Sequence, residues 1–265
     1  MEYQVVVCGG IAPDPLQTLE PITTPTGPGL KNEMMLPAVF DPWAAHALWE
    51  SNQIVKSNPG SKLWVVSLGP RAKLQQVMMT VAQKLPFELI PLDGPGNGFT
   101  DSAETAKALA AAIEAIPGLD KSRLIVCGGW ESATRGAGVT MQRVAERLGI
   151  REVFIGVDEV KIDGGVLVIK ERIEGGAHQV SRCAAPPAVL GWATGAQPEP
   201  PNHPQTGMAN MRVMMPALQK AKPSPVGTGC EYVQVSLPKQ QRETRIVKDK
   251  PASEIARELA AWIQE

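Results

Sequence analysis

Two glycine pairs are the residues of this chain best placed to do chemistry on a ligand. Cys8-Gly9-Gly10 and Cys127-Gly128-Gly129 each close a β-branched apolar run, and glycines at strand ends let a backbone approach a ligand closely. In an open parallel sheet ligands sit just beyond the carboxyl ends of the strands, so both pairs stand where a nucleotide would. Downstream of the second pair, Ser132, Thr134, Arg135, Gly136, Ala137 and Gly138 lead into a helix start, where free N–H groups and the helix dipole attract phosphate. Arg135 could add a charge-assisted contact. An ordinary loop and helix cap would show the same local pattern.

Other signatures of chemistry are missing. The sequence has no GxxxxGKT phosphate loop, no GxSxG elbow and no HExxH, and its three histidines, His46, His178 and His203, are far apart. Each histidine therefore reads as surface or structural, and nothing resembles a metal site. The run Gly94-Pro95-Gly96-Asn97-Gly98 lacks the GxGxxG spacing and reads as a flexible connection. No catalytic acid or base stands in a convincing cluster.

The elements that must position the glycine pairs follow from periodicity. Val5-Val6-Val7, Leu63-Trp64-Val65-Val66, Phe87 to Leu92, Leu124-Ile125-Val126 and Val153-Phe154-Ile155 alternate with helical patterns, which argues for βα units around a buried parallel sheet. Asp41-Pro42-Trp43 opens the first helix as an N-cap aspartate followed by proline. A second helix is expected over Arg71 to Leu85, and a third from Asp101, with Glu104 at capping-box spacing. A fourth should begin near Gly136 and close at Leu148-Gly149. Beyond Asp158 the period changes: Asp163-Gly164-Gly165 and Glu174-Gly175-Gly176 separate strands Val166 to Ile173 and Ala177 to Cys183, as in β-hairpins. The proline-rich stretch from Pro186 to Pro204 is expected to be irregular. From Pro223 the chain reads as an arm with a short strand near Thr244 to Val247 and a helix from Ser253 to Gln264. Ile255, Leu259, Trp262 and Ile263 form its apolar stripe, too little surface for an isolated helix.

Composition narrows the partners. With 26 basic and 27 acidic residues over 265 and a pI near 6.4, the chain has no electrostatic footprint for nucleic acid. Cys8, Cys127, Cys183 and Cys230 lack metal-like spacing and read as reduced thiols, with Cys8 and Cys127 as small buried hydrophobes. The start, Met1-Glu2-Tyr3-Gln4, has no basic n-region, and no apolar run is long enough to span a bilayer. A soluble, cytoplasmic protein, not an integral membrane protein, is expected.

The stretch from Glu171 to Lys222 resembles the β subunit of the electron transfer flavoprotein family. Members carry a basic residue, then D/E-G-G, a Glu or Gln, and a P-A-V run. This chain has Arg172-Ile173-Glu174-Gly175-Gly176, then Gln179 and Pro187-Ala188-Val189, with the basic residue displaced by one place. Farther on, the family's leucine-proline helix start running into M/K-A-K resembles Met215-Pro216 through Ala221-Lys222-Pro223. Asp41-Pro42-Trp43 is similar to the family's N-P-F turn, Ser67-Leu68-Gly69-Pro70 to its S-x-G-P strand end, and Asp101 through Thr105-Ala106 to its D-x-x-x-T-A helix entry.

The resemblance implies a mostly parallel, Rossmann-like α/β sheet of the adenine nucleotide alpha-hydrolase-like kind, with a β-hairpin extension. Residues 1–222 would form the nucleotide-binding domain and residues 223–265 an arm that wraps a larger α subunit. It implies a heterodimer in which the α subunit holds most of the redox-active FAD. The small subunit adds a surface to that flavin site and buries AMP or, in electron-bifurcating relatives, a second FAD. It would relay electrons from a flavin-containing dehydrogenase without a catalytic group of its own. Carried over by position, the contacts are Cys8, Gly9, Asp41, Leu68, Gly128, Gly136, Ala137, Gly138 and Val139, with Ser132 and Arg135 added from the loop reading.

Three departures shape these expectations. Gly136-Ala137-Gly138-Val139 stands where the family has Q-T-G-Q, and Val7-Cys8-Gly9 where it has V-K-R or V-K-Q. Nucleotide contacts from side chains are thus lost, which also disfavours a second dinucleotide and hence bifurcation. The segment offering a leucine anchor to acyl-CoA dehydrogenases in many members here reads Gly195-Ala196-Gln197-Pro198-Glu199-Pro200, so the expected redox partner is not a standard acyl-CoA dehydrogenase. Two alternatives fit the residues less well. An ATP-pyrophosphatase-like enzyme needs S-G-G-x-D-S, and Cys8-Gly9-Gly10-Ile11-Ala12 lacks both serine and aspartate. A homodimeric module of the universal stress protein type leaves the hairpins and the arm unexplained.

Overall fold

The computed structural model describes residues 1–25, 27–33, 35–95, 100–134, 136–227, 244 and 246–264. In chain order the elements begin with β1 (Gln4–Cys8), β2 (Ile11–Pro13), β3 (Pro21–Thr24), β4 (Gly27–Leu30) and β5 (Ala38–Phe40). There follow α1 (Pro42–Ser57), β6 (Lys62–Gly69), α2 (Arg71–Val81), β7 (Glu88–Asp93), α3 (Ser102–Glu114), β8 (Leu124–Gly129) and α4 (Thr140–Leu148). The hairpin strands β9 (Glu152–Asp163), β10 (Val166–Arg172) and β11 (His178–Cys183) precede β12 (Ala188–Trp192), α5 (Pro204–Gln219), β13 (Lys222–Pro223) and α6 (Ala252–Gln264).

Among the described residues, nine strands form one sheet in the order β11-β10-β9-β12-β8-β1-β6-β7-β13. Every neighbouring pair from β9 to β13 is parallel, while β10 pairs antiparallel with both β9 and β11. The fold is therefore α/β, a mostly parallel Rossmann-like sheet carrying a hairpin extension. The chain winds outward from β1 through β6 to β7, then returns to place β8 on the other side of β1. Strand order reverses between β1 and β8, which makes their carboxyl ends the topological switch point.

Side-chain alternation explains the two cores. Val5 and Val7 of β1 pack with α1, α2 and the Met214 and Leu218 side chains of α5. Val6 and Cys8 face the other way, toward α3 and α4. Strands buried on both faces are apolar throughout rather than alternating, and all five residues of β1 and of β12 are buried.

The proline-rich stretch expected to be irregular supplies β12, which is inserted between β8 and β9 at the centre of the sheet. Its tertiary pairing, with Ala188 opposite both Ile125 and Glu152, makes the strand. β9 is far longer than its apolar run because it serves both halves of the sheet. At Gly156, with φ of +81°, it bulges, and the Glu171 carboxylate accepts the Ile155 N–H at 3.1 Å beside that bulge. The second helix stops at Val81, short of Leu85, where Asn210 of α5 donates to the Ala82 and Leu85 carbonyls, both at 2.7 Å. The fourth starts at Thr140 instead of Gly136, because Gly136 has a left-handed φ of +63° that no right-handed helix accommodates. Pro216, read as a helix start, lies inside α5.

Contacts divide the chain into two units, Met1–Val233 and Gln234–Glu265. In the second, the Lys250 ammonium pairs with Glu254 at 2.9 Å at the start of α6, and Leu259, Trp262 and Ile263 are exposed. The strand expected over Thr244 to Val247 lies partly outside the described residues, and Thr244, Ile246 and Val247 are not in a strand. Among the described residues no helix is long and apolar enough to cross a membrane.

Candidate functional site

Two cavities meet at the switch point. The smaller, of about 130 Å³, lies against Cys8, Gly9 and Gly10 at the end of β1, with Leu68 of β6, Asp41 and Ala44 at the start of α1, Glu131, Ser132 and Thr134 after β8, and Ala137, Thr140 and Met141 at the start of α4. The larger, of about 1020 Å³, is an apolar groove between α1, α2 and the β2–β5 ribbon. Leu16, Phe40, Trp49, Val77 and Val81 line it, and the Lys84–Glu199 ion pair at 2.8 Å stands at its edge.

The structure brings together Cys8, Gly9, Asp41, Leu68, Ser132 and Ala137 around the small cavity. Gly128, Gly136, Gly138 and Val139 do not line it, and Arg135 lies outside the described residues, as do Gly96, Asn97 and Gly98. The strand-end glycines serve close packing within the chain. A Cβ on Gly9 would overlap the edge of the Phe40 ring, and one on Gly128 would strike the Met141 thioether. Gly10, by contrast, has open space at its Cβ position.

Asp41 is the organising side chain. One carboxylate oxygen accepts the Trp43 N–H at 3.0 Å and the Ala44 N–H at 3.4 Å, capping α1. The other accepts the Ala133 N–H at 2.9 Å, so the same carboxylate ties the loop after β8 to the helix after β5. Burial raises its pKa above the ordinary aspartate value, the three N–H groups oppose that rise, and the nearby Glu131 charge adds to it. Phe40 and Pro42, on either side of Asp41, face the groove, and Thr134 and Ala137 line both cavities.

Cys8 and Cys127 lie on adjacent strands but pair with different partners: Val7 stands opposite Cys127, and Cys8 opposite Gly128. Their side chains therefore enter opposite cores, and burial pushes the thiols up to about 12 and about 11 respectively. Neither is a nucleophile at neutral pH.

A polar cluster flanks the site on the hairpin side. Asp158 accepts hydrogen bonds from the Arg172 guanidinium at 2.9 and 3.2 Å and from the Thr194 hydroxyl at 2.7 Å, and pairs with His178 Nε2 at 3.0 Å. Burial alone would raise its pKa, but these partners outweigh it and hold the carboxyl below the ordinary value. Arg172 also lies 6.0 Å from the centre of the Trp130 ring, which meets Trp43 edge-on at 6.1 Å. The residues following β8 are thus braced by Arg172 on one side and by Asp41 on the other.

These residues fit a nucleotide phosphate. The N-cap of α4 is Val139, which provides no side-chain cap, so first-turn N–H groups need acceptors, and a phosphate at a helix N-terminus supplies them. Glu131 offers a carboxylate of the kind that accepts ribose hydroxyls. Ligand pockets of roughly 300–1,000 Å³ are typical, so the groove, at about 1020 Å³, has room for a fused ring system. The small cavity, at about 130 Å³, has room only for part of a mononucleotide. Sequence reading missed Glu131, Thr140 and Met141, although they border the loop it singled out. It missed the groove altogether, because Leu16, Phe40 and Trp49 belong to no motif and converge only through the β2–β5 pairing.

Residues 32–225 match the model of the electron transfer flavoprotein domain. No curated protein matches the chain.

Proposed function

The chain belongs to the electron transfer flavoprotein family, and on that premise we propose that it is the small, β-type subunit of a heterodimer. The family consists of flavin-associated electron carriers rather than classical enzymes, and its members usually work with a partner subunit and dehydrogenases. The flavin supplies the redox chemistry, and the protein supplies position and electrostatics.

The observation that carries the proposal is the pairing of a nucleotide-type pocket with a large apolar groove across one shared wall. In this reading the groove, with Phe40 and Trp49, is the surface offered to the FAD held mainly by the α subunit. The small cavity takes part of an AMP-like nucleotide, its phosphate on the first turn of α4 and its remaining contacts at Cys8, Gly9, Asp41, Leu68, Ser132 and Ala137. Loop residues Gly136, Gly138 and Val139, with Gly128 behind them, shape the turn that presents those N–H groups. Residues 1–222 form the nucleotide-binding part and residues 223–265 the arm, with the apolar stripe of α6 docking on the α subunit.

The redox partner is a flavin-containing dehydrogenase other than a standard acyl-CoA dehydrogenase, because Gly195 to Pro200 offers no large apolar anchor. The backbone N–H of Gln197 donates to Glu50 at 2.7 Å, and the exposed Glu199 carboxylate pairs with Lys84 at 2.8 Å. Co-expression with the product of the neighbouring gene tests the assignment. A yellow heterodimer is expected, and a colourless, self-associating protein would overturn it. Efficient flavin reduction by acyl-CoA dehydrogenases would remove the claim about the redox partner.

A further inference from the structure

The two cavities share part of their lining. Thr134 and Ala137 present surface to both sides. Phe40 and Pro42 line the groove while Asp41, between them in sequence, lines the small cavity. A hydrogen bond from the Ala133 N–H to the Asp41 carboxylate, spanning 92 positions of sequence, joins these two pieces of wall, beside the edge-on contact of Trp43 with Trp130. The Phe40 ring is wedged against Gly9 on the floor of the small cavity, so it cannot shift without disturbing that floor. The Asp41 N–H donates to the Gly10 carbonyl at 2.9 Å, which fixes the turn to the same strand end.

We propose that the two cavities are energetically coupled through this wall, with Asp41 as the positioning residue that transmits the coupling. The proposal rests on the functional reading above: an adenine mononucleotide seated in part in the small cavity and an isoalloxazine ring in the groove. A ligand touching Ser132, Thr134 and Ala137 from one side selects the loop conformation that the groove's occupant meets from the other. Once the first ligand has ordered the wall, the second no longer bears that ordering cost, so the sign of the coupling is positive. Linkage requires the effect to be mutual and equal: AMP tightens FAD binding by the same factor by which FAD tightens AMP binding. The two carboxylate oxygens have separable tasks, one capping α1 and the other holding Ala133. Asp41→Asn keeps an oxygen for the cap and turns an N–H₂ toward the Ala133 N–H, so the bridge is lost. Asp41→Ser retains a good N-cap group but is too short to reach Ala133.

The experiment uses the assembled heterodimer stripped of nucleotide. The FAD dissociation constant is measured by flavin fluorescence with and without saturating AMP, the AMP constant is measured with and without FAD, and amide exchange is followed over residues 131–137. The expected result for the unaltered protein is one common factor, of roughly 5–150-fold as for typical allosteric pairs, with AMP slowing exchange in that segment. In Asp41→Asn and Asp41→Ser the factor falls toward one, whatever happens to either affinity alone. AMP that binds with no effect on FAD affinity overturns the coupling and leaves the functional reading standing. A full factor retained in both variants overturns the role of Asp41. A heterodimer that binds no FAD, or no AMP, overturns both the reading and the coupling built on it.

Discussion

Replacing Gly9 by alanine isolates the packing that closes the small cavity. Gly9 does not occupy a left-handed conformation, so alanine suits its backbone and, by restricting the unfolded chain, would by itself stabilise by about 0.4–1 kcal/mol. The steric effect runs the other way. The added methyl would overlap the edge of the Phe40 ring, which is 8% exposed. Neither backbone can give: the Gly9 N–H donates to the Val66 carbonyl at 3.0 Å, and Phe40 pairs with Ile11 and leads into the Asp41 cap. Forcing a methyl into a packed core costs about 1–3 kcal/mol. Net of the backbone gain the loss is up to about 2.6 kcal/mol. For a unit of this size each kcal/mol moves Tm by about 2–4 °C, so a drop of up to about 10 °C is expected in differential scanning calorimetry. Shortening the ring removes the clash, so in a double-mutant cycle with Phe40→Leu the pair should be more stable than the sum of the single changes by about 1 kcal/mol or more. A Gly9→Ala protein more stable than the parent, or a strictly additive cycle, would refute the packing argument.

The remaining expectations are read from particular contacts. Asp158 has a folded pKa below its unfolded value, so its stabilisation is present above about pH 4 and is lost as pH falls through the folded pKa. Asp158→Asn should accordingly flatten the acid limb of a urea-midpoint-versus-pH curve, and an unchanged limb would count against the Arg172, Thr194 and His178 partnership. Asn210→Ala leaves two buried carbonyls at the end of α2 without their donor, at a cost of about 1–3 kcal/mol. Chemical denaturation showing a loss below about 0.5 kcal/mol would reject that account. In the folded protein at pH 8, Cys8 and Cys127, pushed up to about 12 and about 11, should resist a thiol-labelling reagent when followed by peptide mass spectrometry. Rapid labelling of Cys8 would show that the floor of the small cavity is open.

Local features were legible wherever the signal is local. The Asp41-Pro42 helix start and the Asp101 cap take the geometry their side chains dictate, each aspartate accepting the N–H groups of the first turn. The glycine turns at 163–165 and 174–176 bracket β10 as their positive φ angles require. β12 was not legible. Pro186 to Pro204 has no helical or alternating period, and Ala188–Trp192 is a strand because two neighbouring strands supply its hydrogen-bond partners. The end of α2 was equally hidden, since the donor that holds its last carbonyls lies about 125 residues away.

What the chain's residues determined alone is the alternation of apolar strands and capped helices, and with it an α/β sheet whose β1 and β8 ends carry glycine. Those are short-range effects of side-chain volume, φ preference and hydrogen-bonding reach. Only the tertiary structure decided what the glycines are for: Gly9 and Gly128 give space to Phe40 and Met141 of the same chain, and the concave apolar surface lies beside them, on the β2–β5 ribbon. That assignment depends on which distant side chain reaches a given gap first, and close packing across long sequence separations settles it.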